Sequence, residues 1–81
     1  MTQKTVRVGS GLEARNAALF VQAAGKYRSN VKLQINDKTI SAKSIMGVIS
    51  LEIEEGKDVA IIADGPDERD ALTALGRILE A

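Results

Sequence analysis

The chain has 81 residues, with 11 basic and 11 acidic side chains, a formal net charge of zero, and neither histidine nor cysteine. Without cysteine there is no disulfide, thiolate nucleophile or thiolate metal site. Without histidine the side chain best suited to proton transfer near neutral pH is missing, along with the commonest metal ligand. Counting therefore excludes the usual catalytic triads, phosphohistidine chemistry and imidazole metal sites, and the length allows one small domain, residues 1–81.

Lys4–Val8 alternates charged and β-branched side chains, the pattern of a half-buried strand. Gly9, Ser10 and Gly11 interrupt it. From Asn16 the period becomes helical, with Ala17, Phe20, Val21 and Ala24 on one face and Gly25 near the C-terminal end. Val31, Leu33 and Ile35 alternate with Lys32 and Gln34 in a second strand. Asn36, Asp37 and Lys38 form a tight turn, and Thr39–Ala42 returns as a third strand.

Ser44 precedes a short apolar segment, Ile45–Leu51. Its length fits a strand or a helix, and a serine at a natural N-cap position favours a short helix. A period of three to four residues would then bury Val48 and Leu51 and leave Ile45, Met46 and Ile49 nearer the rim. Glu54–Lys57 is a polar turn. Val59–Ala63 is a continuous apolar run, expected to be central in its sheet. Pro66, Asp67 and Glu68 open a last helix, with the proline in its first turn and the acids at the positive end of its dipole. Ala71, Leu72, Leu75, Ile78 and Leu79 recur at helical spacing. The order β-α-β-β-α-β-α predicts an α+β fold, a four-stranded, mostly antiparallel sheet with three helices on one face.

Charge is unevenly distributed along the chain. Residues 1–43 hold eight basic and two acidic side chains, and residues 44–81 hold three basic and nine acidic. One compact fold would let the two halves neutralise each other. Phe20 and Tyr27 are the only aromatic side chains, so the stacking platform of a nucleic-acid binder is missing and no direct nucleic-acid contact is expected. No apolar run reaches the ~18 residues of a membrane span, so a soluble, cytoplasmic protein without membrane contact is expected.

Two segments carry a family resemblance. Gly11-Leu12-Glu13-Ala14-Arg15-Asn16-Ala17-Ala18 resembles the active-site segment of the histidine-containing phosphocarrier protein HPr, which usually reads Gly-Leu-His-Ala-Arg-Pro-Ala-Ala. Ala42–Leu51 resembles the family's regulatory serine segment. The likeness runs along almost the whole chain and implies the open-faced β-sandwich of that family. Glu13 stands where the phosphorylatable histidine is expected, and Asn16 replaces the nearby proline. The resemblance therefore implies no catalytic residue, cofactor or metal site. Glu13 has three readings: drift at a disused site, a structural charge at a helix N-terminus, or a mimic of phosphohistidine. Arg15 matches the family's phosphate-contacting arginine.

Ser44 matches the serine that HPr kinase/phosphorylase modifies, and Ile45, Met46, Gly47 and Ile49 match the surface on which partners dock. Lys26, Arg28 and Lys43 either flank it or are ordinary solvated surface cations, the default reading of such residues. Crh-like members of the family lack the histidine and keep this serine. The expected function is thus regulatory: Ser44 is phosphorylated by HPr kinase/phosphorylase, and the product acts as a corepressor with the LacI-type catabolite control protein in carbon catabolite repression. Enzyme I and enzyme II components of the phosphotransferase system are further candidate partners. Two alternatives stay open, a phosphocarrier relaying phosphate through Glu13 and a constitutive interaction module docking through the Ser44 helix. The resemblance is compatible with a monomer or a strand-swapped dimer.

Overall fold

A computed structural model describes residues 1–9 and 14–81, with backbone alone at 14 and 15. Its elements are β1 (Thr2–Arg7), α1 (Ala14–Ala24), β2 (Asn30–Ile35), β3 (Lys38–Ser41), α2 (Ile45–Ser50), β4 (Asp58–Asp64) and α3 (Glu68–Glu80). The expected order is observed. The sheet runs β1-β4-β2-β3, and every neighbouring pair is antiparallel. β4 is central, as its apolar run implies: Ile61 lies opposite Lys4 on one side and Leu33 on the other.

Alternation decides which face carries the helices. Val6, Val31, Leu33, Ile35, Val59, Ile61 and Ala63 are buried. They form a continuous core with Ala17, Phe20 and Ala24 of α1, Val48 of α2, and Ala71, Leu72, Leu75 and Leu79 of α3. A strand's side chains alternate between faces, so this one-sided burial places the helices on one face and leaves the other open.

Boundaries shift slightly from the sequence expectation. β1 begins at Thr2 and ends at Arg7, while Val8 is buried and its amide bonds the Lys57 carbonyl at 2.8 Å. β3 spans Lys38–Ser41, one residue earlier than expected. Ala42 follows it, fully buried, its amide bonded to the Val31 carbonyl at 2.8 Å. Pro66 is not in the first turn of α3. Asp67 is the N-cap residue and makes no side-chain cap bond.

That missing cap bond is explained by a contact 38 residues away. The Asp67 carboxylate accepts from the Arg28 and Ser29 amides, each at 2.9 Å, and from the Ser29 hydroxyl. The Asp67 amide donates back to the Ser29 hydroxyl at 3.3 Å. Ser29 is only 1% exposed, and this exchange with the start of α3 satisfies its hydroxyl. Gly65 permits the approach, because a Cβ there would meet the Ser29 Cα and Oγ at 2.6 Å.

Chiefly through the Ser29 hydroxyl, and then the Arg28 amide, the Asp67 carboxyl is lowered from 3.8 to about 2. Glu68 is lowered too, first by the Thr2 hydroxyl and then by the Gly65 amide. Both groups have folded pKa values below their unfolded ones. Their stabilisation is therefore complete above the unfolded values and lost as pH falls through the folded ones. Melting temperature should fall as pH drops from 3.8 towards about 2. Asp67→Asn should flatten that fall in an acid titration followed by circular dichroism, and an unchanged acid limb would contradict the assignment.

Glu52 follows α2 at φ 51°, in the left-handed region that favours glycine. Asn36, at φ 53° in the β2–β3 turn, is a residue type that tolerates this conformation. Glutamate does not, and its charge also faces the negative end of the α2 dipole. Glu52→Gly should stabilise the fold by about 1 kcal/mol and raise the melting temperature by about 4–8 °C. A fall in melting temperature would show that another contact of Glu52 outweighs the strain.

Candidate functional site

Ser44 is positioned by the chain on both sides of it. Burial of Ala42 turns Lys43 and Ser44 outward. The Ser44 amide bonds the Ser41 carbonyl at 3.1 Å, and the Lys43 amide bonds the Ser41 hydroxyl at 3.2 Å. Ser44 is extended, with φ −106° and ψ 113°, and its hydroxyl accepts from the Gly47 amide at 3.2 Å. Its carbonyl accepts the first helical bond, from Val48 at 2.9 Å. The expected N-cap is thus present, with an exposed side chain whose hydroxyl retains its own proton to donate.

Around it α2 divides as its period predicts. Val48 is fully buried and Leu51 nearly so, while Met46 is 74% exposed, Ile49 41% and Ile45 37%. Gly47 supplies closeness. A Cβ there would lie 3.3 Å from both Ile40 Cβ and Ser44 Oγ, a tight fit that would need its neighbours to give by a few tenths of an ångström.

One component of this surface is absent from the expected residues. Leu19, on α1, is 57% exposed. Together with Ala18, Val21 and Gln22 it lines a shallow apolar groove that Ile45 closes from α2. The signal was available, since Leu19 lies off the stripe of Ala17, Phe20, Val21 and Ala24 and has no place in the core. The groove and the exposed residues of α2 make a continuous apolar surface beside Ser44, a feature that soluble monomers generally reserve for partners.

The basic flank is less free than expected. Lys43 Nζ bonds the Tyr27 carbonyl at 2.7 Å, so this cation ties the segment after α1 to the segment before α2. Lys26 and Arg28 are exposed, and the Arg28 backbone belongs to the Asp67 contact. Glu13 lies outside the described residues, and so does the side chain of Arg15. Among the described residues no cluster of histidine, cysteine, aspartate or glutamate suits a metal, and no helix is long and apolar enough to cross a membrane.

An exposed N-cap serine on a short apolar helix thus stands on the helix-bearing side of a four-stranded antiparallel sheet. The family model described as the PTS HPr component phosphorylation site matches residues 2–81, and the chain belongs to the HPr family. Within that family it is similar to the HPr-like protein Crh of Bacillus subtilis, with 47% identity over 75 residues, covering 93% of this chain and 88% of the relative. A crystal structure of Crh from the same organism, described as a domain-swapped dimer, superposes with a TM-score of 0.81 at 47% identity, covering 93% of this chain and 86% of that one. The phosphocarrier protein HPr of Bacillus anthracis superposes with a TM-score of 0.93 at 42% identity, covering 96% of this chain and 95% of that one. The fold and the Crh-like character expected from the sequence are thus established.

Proposed function

We propose that this HPr-like regulatory protein is phosphorylated on Ser44 by HPr kinase/phosphorylase, and that the phosphoserine form binds the LacI-type catabolite control protein as a corepressor. The observation that carries this reading is the exposed Ser44 hydroxyl, set beside the exposed side chains of Ile45, Met46 and Ile49. The absence of any histidine supports it from the other side, because the chain has no imidazole with which to relay phosphate.

The chemistry is compatible with a label rather than a switch. Phosphate adds about −1.5 to −2 charge and three acceptor oxygens, at the end of a helix where negative charge is tolerated. The apolar patch supplies contact area, and the new dianion supplies a group that a partner's arginines bind bidentately. Arg15 matches the family's phosphate-contacting arginine in sequence and is proposed to keep that role. The relative's swapped dimer supports a second assembly for this chain, in which β1, an edge strand paired only with β4, is exchanged between copies.

The direct test is incubation with HPr kinase and ATP, followed by mass spectrometry, beside an ordinary HPr. Phosphate on Ser44 is expected, and its absence while the ordinary HPr is labelled would refute the proposal. Docking is tested separately with Ile45→Asp. A buried charge at the mouth of the groove should weaken capture of the partner by about tenfold or more. Melting temperature should stay within about 3 °C, because Ile45 is a rim residue. If Ile45→Asp abolishes capture while Ser44→Ala leaves it intact, the protein is a constitutive docking module.

A further inference from the structure

The chain's composition leaves very few side chains open to mild oxidation. It has no cysteine, histidine or tryptophan and only two methionines, Met1 and Met46. A methionine in a protein core is shielded, but both are exposed here, Met1 at 81% and Met46 at 74%, and of the two Met46 lies on α2. It also stands two residues from Ser44, between Ile45 and the close Gly47–Ser44 contact. The one oxidisable side chain of α2 is therefore the most exposed apolar residue of the surface beside the phosphorylation site.

We infer that Met46 is a peroxide-sensitive modification site whose sulfoxide turns off this docking surface. This rests on the reading of the α2 surface given above. In the reaction a lone pair on the Met46 sulfur attacks one peroxide oxygen. The O–O bond breaks, an S–O bond forms, and the departing hydroxide takes the proton from the oxygen now bound to sulfur, leaving the sulfoxide and water. The sulfur is oxidised by two electrons and the peroxide is reduced by two. The product is a polar, chiral sulfoxide in place of a flexible thioether, and methionine sulfoxide reductases reverse the change.

The geometry separates this effect from unfolding. The buried side of α2 is held by Val48 and Leu51, neither of which is oxidisable, and the cap bond from Gly47 to Ser44 involves no atom of Met46. Oxidation therefore changes the surface and leaves the helix in place.

The experiment treats the full chain, and a Met46→Leu variant, with dilute hydrogen peroxide. Peptide mapping follows each sulfoxide, circular dichroism follows the fold, and retention on a hydrophobic-interaction column follows the surface. Met46 should oxidise at a rate comparable with free methionine. Retention should fall while melting temperature stays within about 3 °C. Phosphorylation of Ser44 by HPr kinase should lose about tenfold in kcat/KM through KM, with sulfoxide reductase restoring it. Met46→Leu, whatever its starting rate, should show the same phosphorylation before and after peroxide, and should lose only the retention that oxidation of Met1 accounts for. Slow oxidation of Met46, unchanged retention, or phosphorylation unaffected by the sulfoxide would each overturn the inference. Should the untreated chain not be labelled at all, the reading of Ser44 falls, and the effect on the surface is decided by retention alone.

Discussion

Ser44→Ala should abolish labelling by HPr kinase and leave a folded protein that is about 1 kcal/mol less stable. Both parts follow from the same oxygen. It is the atom proposed to receive the phosphoryl group, and it also accepts the Gly47 amide at 3.2 Å. Alanine removes the acceptor, and loss of an N-cap serine typically costs about 1 kcal/mol. For a chain of this size that lowers the melting temperature by about 4–8 °C. The core under α2 rests on Val48, which the substitution does not touch. Ser44→Asp separates the two roles. Aspartate is a good N-cap, so stability should return, but it brings a single charge and two oxygens and should restore only part of any phosphoserine-dependent binding. Mass spectrometry after kinase treatment, thermal melts and partner capture check each arm. A phosphate that persists in Ser44→Ala would place the modification elsewhere.

Phe20→Ala should be the most damaging single truncation, costing about 3–5 kcal/mol. Phe20 is the largest fully buried side chain among the described residues, and it projects from α1 into the core under the sheet. A domain of this size commonly has only about 5–15 kcal/mol in total, and the corresponding fall in melting temperature is about 15–30 °C. Its neighbour provides the control. Leu19 is 57% exposed, so Leu19→Ala should change stability by no more than about 0.5 kcal/mol. It should nevertheless weaken partner capture, because it removes one wall of the groove. If Phe20→Ala does not fold, Phe20→Leu keeps an apolar body and should lose about 1–2 kcal/mol. Urea titrations of the three variants make the measurement, and equal losses at positions 19 and 20 would contradict the packing described here.

These variants mark how far the site is readable from local sequence. The cap at Ser44 depends on residues within three positions of it, and the division of α2 into Val48 below and Met46 above depends on helical period alone. Both are visible in the sequence. The same periodic logic applied to α1 identifies Phe20 as core and leaves Leu19 unassigned. Nothing local shows that the outward Leu19 meets Ile45 across a groove.

The contact between Asp67 and Ser29 was not readable, for a related reason. Each residue has an ordinary local explanation, an acid at the start of a helix and a serine before a strand. Their 38-residue separation hides the fact that each satisfies the other. Lys43 is similar. Its place beside Ser44 suggests a basic flank, whereas its ammonium group is bound to the Tyr27 carbonyl.

The sequence by itself determined the element order, the antiparallel sheet with β4 at its centre, the N-cap at Ser44 and the absence of any imidazole. Each of these is a matter of periodicity, a short-range cap or a count. Only the tertiary structure decided that the Asp67 carboxylate serves the Arg28–Ser29 segment before β2 rather than its own helix, that Lys43 ties two segments together, and that Leu19 joins Ile45 beside the serine. Those outcomes depend on which surfaces meet when three helices settle on one face of a sheet, and residues far apart in the chain have no local pattern that records their meeting.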